Sequence, residues 1–190
     1  MISRSEIIDT QIESVDIQHQ ILFDLLKKVA ETFVHGVLDE NLVSDALQNL
    51  IAYANKHFIE EEKLMIKNKV DPRHVSIHRM EHKSFLYDAK SMWDYLCVEE
   101  DLAGVSEKLV RFLASWLIFH ILGIDRTMAN QIFAIQHGAT PEQAYEDRHT
   151  LKYDAAATHL MLDSVLNLWH LSLERCHKLE EKLALHQKCG

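Results

Sequence analysis

Thirteen of the 190 residues are histidine, and several stand at spacings that aim two side chains at one point. His57 and Glu61 lie four apart, as do His78 and His82, and also His74 and His78. On an α-helix a four-residue step turns by only about 40°, so both members of such a pair can reach one metal ion. His19 follows Asp16 among apolar neighbours, and His120 and Asp125 sit at the most apolar stretch of the chain, residues 112–124. An apolar helix face that carries an unpaired charge or an unsatisfied imidazole is destabilised by several kcal/mol, so these groups call for a cationic partner in the interior. The resulting donor set is five imidazoles (His19, His57, His78, His82, His120) and two carboxylates (Glu61, Asp125). Nitrogen and oxygen donors without a thiolate suit iron or manganese better than a closed structural zinc site. If both carboxylates and a solvent oxygen bridge two ions, three histidines complete one of them. The other two leave the second ion with a vacant position, where a small diatomic would bind.

Helices must carry these donors. Apolar residues recur at helical spacing over residues 16–38 (Ile17, Ile21, Leu22, Leu25, Leu26, Val29, Phe33), with Gly36 as the expected stop, and again over residues 41–68. Asp71-Pro72 reads as a cap followed by proline in the first turn of a third helix reaching about residue 98. A fourth is expected after Gly104, capped by Ser106 and running to Gln136. Four helices of similar length with short connections give an all-α, up-down-up-down four-helix bundle with a C-terminal helical extension. With 5 glycines and 2 prolines, the chain lacks the punctuation of a sheet protein. One difficulty is built in: five residues on a regular helix turn about 140°, so His120 and Asp125 would diverge. A local widening near Gly123 would restore their convergence.

The expected domain limits are 1–137 for the bundle and 138–190 for the extension. Thr140-Pro141-Glu142 starts a helix there, and a longer one covers residues 153–187. Leu162, Trp169, Cys176 and Leu183 repeat every seven residues, with Val165, Ser172, Leu179 and His186 three further on, which makes an imperfect heptad seam. Two readings stay open: a helix folded back on its own bundle, or a coiled coil that forms a homodimer and links to an output domain beyond this sequence.

The formal charge of −9 argues against nucleic acid or anionic lipid as partner. Residues 1–10 have mixed charge and no apolar core, unlike a secretory signal. The apolar run 112–124 is too short to span a bilayer and holds His120, so no membrane segment is expected. An odd set of cysteines, Cys97, Cys176 and Cys189, suits reduced thiols in the cytoplasm.

The strings Asp16-Ile-Gln-His19-Gln, His57-Phe-Ile-Glu-Glu61-Glu-Lys-Leu-Met65, His78-Arg-Met-Glu-His82-Lys-Ser-Phe85 and Trp116-Leu-Ile-Phe-His120-Ile-Leu-Gly-Ile-Asp125 closely resemble the hemerythrin family, in order and spacing, over residues 8–136. The chain is similar to a bacterial hemerythrin domain. The resemblance implies two oxo- or hydroxo-bridged iron ions that bind dioxygen without enzymatic turnover, each iron giving one electron and the bridging hydroxide a proton. It also implies the ligand roles: His78, His82 and His120 on the complete iron, His19 and His57 on the open one, Glu61 and Asp125 bridging. Phe58, Trp116, Leu117 and Ile121 are candidate walls of the dioxygen pocket, and equally ordinary core. Gly123 falls where a wall side chain could face the open iron, so a water channel and fast autoxidation are expected there.

A ferritin-like oxidase would instead use two Glu-x-x-His pairs. The chain's only such pairs, Glu146 with His149 and Glu174 with His177, lie in the extension. His35, His74, His137, His149, His159, His170, His177 and His186 match no position of the motif and are read as surface or packing residues. Glu60 and Glu62 point about 100° away from Glu61 and are expected in solvent. Within the dioxygen-binding reading, the extension favours an oxygen or redox sensor that signals through its C-terminal helix, and the alternative is a stand-alone storage or delivery protein.

Overall fold

The computed structural model describes residues 9–33, 40–96, 102–150 and 153–188. Expectations placed on residues 1–8, His35, Gly36, Cys97 and Cys189, and on the side chains of His149 and His186, fall outside what it describes. The described residues are helical with no strand. The helices are α1 (Glu13–Glu31), α2 (Glu40–Lys67), α3 (Pro72–Leu96), α4 (Leu102–Phe119), a π-helical segment (His120–Asp125), α5 (Arg126–Gln136), α6 (Pro141–Glu146), a 3-10 turn (Asp147–Thr150) and α7 (Ala155–Lys188). Each of α1 to α4 packs on the next and α4 returns to α1, which closes the four-helix ring. No described helix is long and apolar enough to cross a membrane.

One stripe per helix builds the interior. In α1 it is Val15, His19, Leu22, Leu26 and Val29, at the three-and-four spacing of a buried face. The helix starts three residues earlier than its apolar pattern suggests, because the Thr10 amide and hydroxyl both donate to Asp16 Oδ1 (2.9 and 2.7 Å) and tie the entering chain to the first turn. It ends at Glu31 rather than near residue 38.

The turn from α2 to α3 is tight and fully bonded. The Val70 amide donates to Met65 O (3.0 Å) and the Lys69 amide to Ile66 O (3.1 Å), with Lys69 in the left-handed region at φ 58°. This is a Schellman closure with lysine where glycine is usual. Asp71 then caps α3 through the Arg73 amide (2.8 Å), with Pro72 at the first helical position. This connection sets His57 and Glu61 on α2 against His78 and His82 on α3.

Helix α4 begins at Leu102, so Gly104 and Ser106 lie inside it, and Ser106 is buried instead of capping. A glycine in a helix costs about 1 kcal/mol, which packing of this apolar helix readily offsets. The turn of α4 into the π segment occurs without a break, and the Arg126 amide reaches Ile121 O, five residues back. The widening expected near Gly123 is therefore present. The Thr127 hydroxyl donates to the Gly123 carbonyl, meeting a group that the irregular turn would leave short of partners.

The extension does not stand clear of the bundle. Helix α6 starts with a Thr140/Gln143 capping box, and Asp154 caps α7 through the Ala157 amide (2.7 Å). Helix α7 then runs along α4, burying Ala157 and Ser164 and packing Leu168 and Leu171 on the main core.

Relieving the left-handed lysine should stabilise the fold: Lys69→Gly is expected to raise unfolding free energy by about 1 kcal/mol in a urea titration. No change, or a loss, would mean that this turn is not strained as described.

Candidate metal centre

The interior has two apolar clusters with a polar layer between them. The larger includes Leu22 (α1), Phe58 (α2), Phe85 (α3), Trp116 (α4) and Ile121; the smaller includes Val15, Met65, Val75 and Met128. On every helix the donors fall between a member of one cluster and a member of the other: His19 between Val15 and Leu22, His57 and Glu61 around Phe58 and before Met65, His78 and His82 between Val75 and Phe85, His120 and Asp125 between Trp116 and Met128. All seven predicted donors are buried.

They converge in two overlapping sets, Glu61 with His78, His82 and His120, and Glu61 with His19, His57 and Asp125, the donor atoms of each lying within 4.8 Å of one another. His120 Nε2 stands 3.1 Å from His82 Nε2 and 3.2 Å from His78 Nε2. Metal–nitrogen bonds of about 2.1 Å at right angles separate nitrogens by about 3 Å, so this spacing matches the edge of an octahedron. The carboxylates stand between the imidazole groups. Asp125 Oδ1 is 3.1 Å from His78 and 3.2 Å from His120, while its Oδ2 is 3.1 Å from His19. Glu61 Oε2 is 3.5 Å from His57 and from His78, and 3.4 Å from His82.

Both oxygens of Glu61 and Asp125 and both ring nitrogens of His19 are buried without a hydrogen-bond partner. Such atoms cost about 1 to 3 kcal/mol each when left unsatisfied. A pair of cations at the two foci would satisfy them together, and the donor set fits hard to borderline divalent ions. The π segment makes this convergence possible: its i to i+5 closure turns Asp125 back onto the face of His120.

Electrostatics show the strain of the cluster. Burial and the neighbouring Asp125 push the Glu61 carboxyl up to about 7. Burial alone would raise Asp125, but the imidazoles of His120, His19 and His78 hold it well below the usual range. Burial works against charge on His78, yet Asp125 and Glu61 outweigh it and raise the ring to about 9. Burial and the adjacent His19 take His57 down to about 3.

A polar layer lies behind the donor rings, and helical spacing does not predict most of it. Gln18 Oε1 lies 2.7 Å from His57 Nδ1, and the Gln18 amide donates in turn to Glu60. Glu62 lies 3.7 Å from His82 Nδ1 and is fixed by Arg79 at 2.8 Å, and Asp16 lies 4.0 Å from His19 Nδ1. Glu60 and Glu62 are thus half-buried partners rather than solvated charges. Their neighbours come from other helices or the next turn, so helical spacing on α2 alone does not reveal them. His74 is buried against His78, ring centroids 5.5 Å apart, although it is not in either donor set; its four-residue spacing to His78 was the available signal.

Phe58 stacks on His82 (centroids 3.8 Å, 10° between planes) and Trp116 on His120 (4.3 Å, 13°), so these two rings wall the three-histidine side. Leu117 and Ile121 are buried in the larger cluster. At Gly123 a Cβ would meet only the Phe119 ring, at 4.0 Å. Glu146 is engaged by Arg73 (2.8 Å) and Glu174 by Lys108 (2.5 Å), and neither belongs to a metal-capable group among the described residues.

Two outcomes follow. Gln18→Leu removes the acceptor behind His57, and divalent-cation affinity should fall about 10- to 100-fold while far-ultraviolet circular dichroism is unchanged; unaltered affinity would show that Gln18 does not orient the ring. In the metal-free protein His78 is protonated at neutral pH and Glu61 partly so, and a cation must displace those protons. Loading at pH 7 should release protons, and affinity should rise towards pH 9, as read by titration in weakly buffered solution. The sign for the metal-free fold is opposite: the His78 contribution, complete below its ordinary value of 6.5, is lost as pH rises through about 9. Loading without proton release would contradict this charge assignment.

Comparison with known proteins agrees with the geometry. A family model described as the hemerythrin HHE cation binding domain matches residues 10–132. Myohemerythrin of Riftia pachyptila is 30% identical over 115 residues, covering 60% of this chain and 78% of the relative. Bacteriohemerythrin of Methylococcus capsulatus is 28% identical over 117 residues, covering 62% and 85%, and that of Stenotrophomonas maltophilia 26% over 125, covering 65% and 76%. No solved structure matches the chain. With its matched segment spanning all four donor-bearing helices, the chain belongs to the hemerythrin family.

Proposed function

We propose that this protein holds two iron ions and binds dioxygen reversibly, as a binding protein rather than an enzyme. The observation that carries this reading is the position of Glu61 and Asp125, each standing between imidazoles of both donor sets. In it, His78, His82 and His120 would hold one ion and His19 and His57 the other, with Glu61 and Asp125 within reach of both. Two ferrous ions supply the electrons that reversible dioxygen binding requires. The protein does the rest. With three imidazoles on one side and two on the other, the two-histidine side would be the one to take a diatomic. Gln18 behind His57 fixes the orientation of that ring, and Glu62 and Asp16 place negative charge near His82 and His19. Buried Phe58, Trp116, Leu117 and Ile121 keep water from the centre.

We further assign it a sensing role in the cytoplasm, in which the state of the centre is passed through α7 to a second copy or an attached output. This is supported by the contact of α7 with both α4 and the π segment that carries His120 and Asp125. Reduced-thiol composition supports the location.

Metal analysis with an ultraviolet and visible spectrum tests the centre. Two irons per chain, and absorbance that appears when oxygen meets the reduced protein and is lost on its removal, are expected. Manganese, or a spectrum indifferent to oxygen, overturns the reading. Asp125→Asn should leave less than one iron per chain. Hydrogen exchange along α7 that is identical with and without oxygen would remove the sensing role and leave storage or delivery.

A further inference from the structure

Helix α7 is apolar on two opposite faces. One lies against α4 through Ala157, Ser164, Leu168 and Leu171, and is anchored by Lys108–Glu174 (2.5 Å) and Arg175–Asp88 (2.8 Å). The other carries Leu162, Val165, Leu166, Trp169 and Leu173 in solvent, with Trp169 61% exposed. Beyond Arg175 no described side chain of α7 is buried, and Leu179 and Leu183 continue the outer stripe at 53% and 63% exposure. The four-helix ring is already closed and α7 meets it with its other face, so no described element covers this stripe.

We propose that two copies of this chain pair along the outer face of α7 as a parallel, in-register coiled coil. Leu162, Trp169, Cys176 and Leu183 form one row of the seam, with Val165 and Leu179 in the other. From 162 to 183 the seam is about 33 Å long and covers three heptads. A two-fold pair presents the same patch from both sides, and a seam of this kind is its own complement. Charge selects the orientation. In this register Arg175 precedes the seam and Glu180 follows it five residues on; Arg175 meets Asp88 through Nη1 alone and is 47% exposed, so the parallel arrangement sets its remaining nitrogens beside Glu180 of the other copy. The flank at Leu168 packs on the main core, and Leu166 and Leu173 widen the stripe on the open side. The pairing supplies the second copy invoked by the sensing role, yet it is argued from α7 alone. Its test involves neither metal nor oxygen, so the two can fail separately.

Equilibrium sedimentation of the full chain at micromolar concentration should give twice 22.1 kDa. The double substitution Trp169→Glu, Leu173→Glu should halve that mass with helicity and bound cation unchanged. In a Cys97→Ser, Cys189→Ser background, a short bismaleimide should join the two Cys176 thiols, which are exposed on the seam. That measurement needs no charge in the helix and decides the matter even if the double variant loses helicity. A monomer, or a dimer indifferent to the double substitution while helicity is retained, overturns the interface. A dimer whose Cys176 residues do not cross-link overturns the parallel register.

Discussion

A layer of seven ionisable side chains buried between two apolar clusters is the constraint on which this molecule depends. The clusters hold the four helices at fixed rotation, since Leu22, Phe58, Phe85 and Trp116 on one side and Val15, Met65, Val75 and Met128 on the other leave each helix a single inward face. The donors inherit their aim from that packing. They also oppose it: buried carboxylates without hydrogen-bond partners, and imidazole nitrogens about 3 Å apart, are unfavourable unless positive charge stands among them. Burial and metal affinity are two aspects of one arrangement, since the desolvation that raises Glu61 also strengthens its attraction to a cation.

The π segment shows how local irregularity serves that layer. A regular helix would send His120 and Asp125 apart, and Asp125 is the group that touches imidazoles of α1, α3 and its own helix. One wider turn corrects the angle without interrupting α4 and α5, so the apolar residues before and after remain in their clusters. The irregular carbonyl at Gly123 finds the Thr127 hydroxyl. Gly123 thus takes part in the geometry of the turn.

Behind the donors, a ring of polar contacts joins elements distant in sequence. Gln18 of α1 meets His57 of α2, and Glu62 of α2 meets His82 and Arg79 of α3. The Gln18 contact fixes the His57 ring, and with it the direction from which its nitrogen lone pair approaches a metal. Helix α7 packs along α4 and touches the π segment, although the donors and the heptad of α7 are far apart along the chain.

The sequence by itself determined the helical class, the four donor-bearing stripes, the Asp71-Pro72 turn, the donor pairs within α2 and within α3 and the need for a wider turn between His120 and Asp125. Each of these follows from spacing along one helix, where 3.6 residues per turn converts sequence separation directly into direction. Only the tertiary structure decided matters that involve two helices at once. Periodicity on α2 sent Glu60 and Glu62 into solvent, but α1 and α3 stand there to receive them. Ser106 has a capping residue's chemistry, but the packing of α4 carries the helix past it to Leu102. The heptad of α7 left open whether it meets its own bundle or another copy. Its two faces settle the first half, because burial against α4 uses residues the heptad does not contain.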